Sequence, residues 1–134
     1  MEPQDEAREP VIISGEEFTS RVAEEMKRSD RYEHPFTIVV FRPPAGALSE
    51  DELTTEGWFR SLAAGLVRGC DVVSVFEAQG IVAVLLPETG VAGGNALLDR
   101  LRGALGDSTH DWNYKLLEYP HNRDTISELT KRAA

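Results

Sequence analysis

Asp71-Val72-Val73-Ser74-Val75-Phe76-Glu77-Ala78-Gln79-Gly80-Ile81-Val82-Ala83-Val84-Leu85-Leu86-Pro87-Glu88-Thr89 is the stretch that decides the fold. Two apolar, β-branched runs, 72–76 and 81–86, are separated by four residues ending in glycine. That pattern predicts two strands joined by a tight turn. Pro87 has no N–H to give to a ladder, so the second strand stops before it. The turn itself carries no set of groups suited to catalysis.

Upstream, Ser14 and Glu17 have the spacing of a capping box, with Ile13 as the staple residue. Phe18, Val22 and Met26 recur at helical spacing and predict a helix over about Gly15 to Tyr32. Phe36-Thr37-Ile38-Val39-Val40-Phe41 is a continuous apolar and β-branched run, as in a strand buried on both faces. Pro43-Pro44 forces an exit loop. Ser49 or Asp51 is placed to cap a second helix with core positions Phe59, Leu62, Ala63 and Leu66, ended by Gly69.

Downstream, Gly90 to Gly94 reads as a flexible lead-in to a helix carrying Leu97, Leu98, Leu101 and Leu105, closed by Gly106. Trp112, Tyr114 and Leu116 alternate with polar residues and predict a strand with one exposed face. Ile126, Leu129 and Ala133 predict a short last helix. The central order βαββαβ implies an α+β, ferredoxin-like core: an antiparallel sheet with flanking helices packed on one face. Residues 1–12 read as a disordered acidic tail and 13–134 as a single domain.

The 134 residues are 41% hydrophobic and 28% charged, ordinary for a globular chain with its own core. A net charge of −9 argues against nucleic acid or an anionic membrane as partner. No run is long or apolar enough to span a bilayer, and the acidic N-terminus does not resemble a signal peptide. The single cysteine, Cys70, forms no intrachain disulfide or zinc site and fits a reducing cytoplasm.

Individual polar residues suggest little chemistry. Glu77 and Glu88 fall near opposite ends of the second hairpin strand, so with Asp71 they are not expected to converge on a metal. His110 and His121 lie in expected loops without a Ser or Cys partner at a telling spacing. Gly90 to Gly94 lacks the Gly-Lys-Ser/Thr of a phosphate loop. Trp58 neighbours Phe59, so Trp58 is the expected exposed apolar contact for a protein partner or a homodimer.

Three segments together resemble the GGDEF domain of diguanylate cyclases. They are Glu17-Phe18 through Met26 to Tyr32 with Pro35-Phe36-Thr37; Arg68-Gly69-Cys70-Asp71-Val72-Val73 with Val84-Leu85-Leu86-Pro87-Glu88-Thr89; and Tyr119-Pro120 with Ile126 to Leu129 and Ala133. The resemblance runs from about Ile13 to the end. It implies the cyclase fold and a link to cyclic di-GMP signalling.

The departures bear on activity. Where active members hold magnesium with two aspartates, the matching positions are Arg42 and Pro44, neither of which offers the oxygen Mg²⁺ demands. The family's glycine-rich acidic signature matches Ala78-Gln79-Gly80-Ile81-Val82, without either carboxylate. Phosphoryl transfer depends on metals and positioned charge, so loss of cyclase activity is expected, with no catalytic residue, no metal and no cofactor. Arg68-x-x-Asp71 matches the motif with which many members bind cyclic di-GMP at an inhibitory site. A guanidinium fork suits phosphate and guanine edges, and a carboxylate accepts from guanine N–H groups. The same spacing also arises when charged residues simply occupy a helix–strand joint. The expected function is a non-catalytic signalling or scaffold domain working through protein contact; the alternative is a cyclic di-GMP effector.

Overall fold

The computed structural model describes residues 11–44, 54–62, 71–106 and 112–133. In chain order the elements are β1 (Ile12–Ile13), α1 (Gly15–Tyr32), β2 (Phe36–Arg42), α2 (Thr55–Leu62), β3 (Val72–Phe76), β4 (Ile81–Leu86), α3 (Val91–Leu105), β5 (Asn113–Tyr119) and α4 (Arg123–Ala133). The strands form one five-stranded sheet in the order β1-β3-β4-β2-β5.

The hairpin forms as the sequence predicts, with Val73 opposite Val84 and Phe76 opposite Ile81. Its second strand lies against β2, Val39 opposite Val84, and β5 flanks the other side of β2, Val39 opposite Leu116. These antiparallel pairings give the split βαβ order. An element too short to read from pattern adds an edge: β1 pairs in parallel with β3, Ile12 opposite Val73, and Ser74 Oγ donates to the Ile13 carbonyl at 2.9 Å. The sheet is therefore mixed.

Period-two alternation divides the core into two layers. Phe36, Ile38, Leu85, Leu117 and Tyr119 face α1 and α4, meeting Phe18, Val22 and Ile126. Val39, Phe41, Val84 and Leu86 face α2 and α3, meeting Trp58, Phe59, Leu97 and Leu101. Helices thus cover both faces, not one as the βαββαβ pattern implied. The central strands are apolar on both sides, and α1 and α4 close the face that α2 and α3 leave open. Each fully buried large side chain contributes roughly 1.5–3 kcal/mol.

Helix α1 starts at its predicted cap: Ser14 Oγ accepts from Glu17 N–H at 3.1 Å, and the Glu17 carboxylate accepts from Ser14 N–H at 3.3 Å. Gly106, at φ 63°, caps α3. Gly94 is a packing position rather than part of a flexible lead-in. A Cβ there would lie 2.5 Å from Leu116 Cδ1 and 3.0 Å from Thr37 Cγ2, so glycine lets α3 sit directly on the sheet. In β5 the expected alternation fails. Asn113, Tyr114 and Lys115 are exposed, whereas Leu117 and Tyr119 are buried; at the exposed half Arg102 of α3 reaches over to donate to the Tyr114 hydroxyl at 2.6 Å. The Tyr119 hydroxyl donates to Asp30 at 2.8 Å, and burial followed by that bond pushes its pKa up.

Candidate functional site

One end of the sheet gathers the positions that the sequence singled out. Arg42 closes β2 opposite Asn113, which opens β5. Phe41 pairs with Val82, so the β3–β4 turn lies at the same end. Pro43 and Pro44 follow Arg42, and Pro44 is buried. In the turn, Gln79 N–H donates to the Phe76 carbonyl and Gly80 N–H to the Glu77 carbonyl, both at 3.1 Å. Gly80 sits at φ 66°, which explains the glycine that ends the turn.

The five signature-like positions divide by physics. Ala78 and Gln79 are exposed in the turn, while Ile81 and Val82 belong to β4 and are buried, Val82 completely. They are core residues, packed on opposite faces of the sheet.

Glu77 has a role that sequence reasoning did not assign. Its Oε2 accepts from Glu56 N–H at 2.9 Å and its Oε1 from Thr55 N–H at 3.2 Å. Thr54 Oγ1 accepts from Gly57 N–H at 3.0 Å. The first turn of α2 is therefore satisfied by Thr54 and by a carboxylate reaching over from the hairpin. Helix N-termini attract anions because their free N–H groups and dipole converge there; here the chain supplies its own. Ser49 and Asp51, the caps expected from sequence, lie outside the described residues. The usable signal was absent locally, because the capping group is more than twenty positions away along the chain.

Trp58 is not the exposed contact that its sequence position suggested. It is 5% exposed and meets the Phe41 ring at 6.1 Å, while Phe59, fully buried, meets the same ring at 5.9 Å. Adjacent residues differ by about 100° around a helix, and an apolar face wider than that buries both.

Asp71 precedes β3 and is half-buried. It stands at the opposite end of β3 from the turn, roughly 17 Å away for a strand of this length. Arg68 and Cys70 lie outside the described residues, as does His110; His121 is exposed in the turn before α4.

Could this end hold magnesium? A guanidinium repels a cation and proline has no side-chain oxygen, so Arg42 and Pro44 do not fit one. Glu77 is the turn's carboxylate, and both its oxygens are engaged by α2. Among the described residues, no three His, Cys, Asp or Glu side chains are grouped to take a metal ion. No described helix is long and apolar enough to cross a membrane.

No protein-family profile matches the chain, and no curated protein matches it in sequence. Solved structures do resemble it. The GGDEF domain of YfiN (also TpbB) from Pseudomonas aeruginosa superposes with a TM-score of 0.68 at 16% identity, covering 91% of this chain and 85% of that one. A diguanylate cyclase protein from Thermotoga maritima gives 0.65 at 16% identity, covering 92% and 97%. The diguanylate cyclase SiaD, solved with its activator SiaC from Pseudomonas aeruginosa, gives 0.65 at 14% identity. That match covers 96% of this chain, which spans only 57% of SiaD. At such identities the likeness is one of fold. The α+β architecture is that of GGDEF domains.

Proposed function

We propose that the chain is a degenerate, non-catalytic GGDEF-like domain of bacterial signalling that acts as a scaffold through protein–protein contact. The observation that carries this reading is the double engagement of Glu77 by α2. The turn that bears acidic signature residues in cyclases here uses its carboxylate to tie the hairpin to the neighbouring helix. Arg42 and Pro44, at the positions matching the metal-binding aspartates, offer no oxygen for a cation. With no metal to spread the charge of a transferring phosphoryl group, the largest source of rate in such reactions is missing. A GGDEF-fold protein solved with its activator supports contact with another protein as a use of this scaffold.

The reading takes 13–134 as one domain, with Ile12 of β1 joined to its sheet, behind an acidic tail, in the cytoplasm, with a protein partner or a second copy as the contact. Incubation with GTP and Mg²⁺ tests it. No cyclic di-GMP above a protein-free blank is expected, and steady product formation would refute it.

A second reading, a cyclic di-GMP effector, is favoured by the Arg68-x-x-Asp71 spacing and by the distance of Asp71 from the turn end. A site there would work whatever the state of that end. Calorimetric titration with cyclic di-GMP decides: saturable heat that disappears in Arg68→Ala supports the effector, and its absence at high ligand leaves the scaffold.

A further inference from the structure

Beside α4 the structure has a groove of about 730 Å³ whose lining includes Arg42 and Ile81. Val40, Ile81, Leu117 and Leu129 line it as apolar floor. Leu117, Ile81 and Leu129 retain 6–9% exposure, unlike the deepest residues of the same layer. The strand wall carries Arg42 and Lys115, and the helix wall carries Asp124 and Glu128. None of these four charged side chains has an ion pair or hydrogen bond to another described residue. Opposite charges thus flank an apolar strip without neutralising one another.

We propose that this groove docks an amphipathic helix of a protein partner. The helix would carry an apolar stripe flanked by carboxylates on one side and cations on the other. This deepens the scaffold reading and rests on it. Charge complementarity sets the orientation: the guest carboxylates lie along Arg42 and Lys115, and its cations along Asp124 and Glu128. The sheet face favours a helix, since α1 and α4 already cover that face and a third helix would extend their layer. Strand addition to β5 is less suited. Both outward backbone groups of Glu118 are taken by Asn122, its N–H by Asn122 Oδ1 at 2.9 Å and its carbonyl by Asn122 N–H. Lys115 also guards the open part of that edge.

The test uses two synthetic helical peptides with one leucine stripe. The matched one has a Glu row on one flank and a Lys row on the other, and the second carries Gln in both rows, because exchanging the charged rows would only reverse the direction in which the helix lies. Methyl NMR on the full chain should show saturable shifts at Val40, Ile81, Leu117 and Leu129 with the matched peptide. Lys115→Glu should weaken that peptide about fivefold, the effect of turning one exposed attraction into a repulsion, and should leave the Gln peptide unchanged. Equal binding of both peptides, unmoved groove methyls, or shifts confined to the Tyr114 and Leu116 amides would overturn the proposal. A parallel GTP–Mg²⁺ assay separates two failures. Unmoved methyls without turnover mean that the docking site is misplaced, whereas turnover refutes the scaffold reading itself.

Discussion

Strands β3 and β4 and the turn between them are consecutive in the chain yet answer to different constraints. The strands are almost wholly buried, and each side chain must fit one of two apolar layers. The turn is exposed at Glu77, Ala78 and Gln79, and geometry there fixes only the glycine at φ 66°. Packing holds the fold in the strands, whereas the exposed turn on the rim is free of that constraint. A chain can therefore keep the first while its rim residues serve another purpose. Glu77 illustrates the point, since it is exposed and yet tied to α2 by two backbone donors.

The largest expected effect lies on the strand side. Leu85 is fully buried, and Leu85→Ala should cost about 3 kcal/mol in urea unfolding; a loss below about 1 kcal/mol would mean that the hairpin is not the core element described. Glu77→Ala comes next. It should cost about 1 kcal/mol, as for other helix N-caps, and speed amide exchange at Thr55 and Glu56 while leaving β3 and β4 protected. Unchanged exchange at those two amides would break the link between turn and helix.

Tyr119→Phe probes the opposite end of the same core layer. Loss of the bond to Asp30 should cost about 1 kcal/mol near neutrality. The raised pKa adds a pH effect. A phenol that ionises less readily when folded supports stability fully below its unfolded pKa of about 10, and that support fades as pH rises beyond it. The variant should therefore lose less stability than wild type between neutral and strongly alkaline pH; parallel pH profiles would contradict the assignment. Gln79→Ala, exposed in the turn, should stay within about 0.5 kcal/mol of wild type. A larger loss would show that the turn has structural duties beyond Gly80 and Glu77.

Local signals in the sequence located most of the elements. The Ser14–Glu17 box places the start of α1, and the apolar runs place β2, β3 and β4. What escaped the sequence depends on distant neighbours. Two residues are too few to announce β1, which exists because β3 has a free edge. Trp58 is buried because Phe41 lies beneath it, and Gly94 is required by Leu116. The site follows the same rule. Residue identity alone shows that Arg42 and Pro44 cannot ligate a cation. The capping of α2 by Glu77 needs the hairpin and the helix to be brought together first. The groove charges, drawn from two strands and α4, are likewise brought together only by the fold.

Arg42, Pro44 and the engaged Glu77 offer no side-chain oxygen free to grip a metal-bound triphosphate at the turn end of the sheet. Amide NMR of the full chain, titrated with Mg²⁺ and a non-hydrolysable GTP analogue, addresses it directly. Signals at Arg42, Thr55, Glu56, Glu77 and Gln79 should stay unmoved up to millimolar ligand. Saturable, magnesium-dependent shifts at those residues would contradict it.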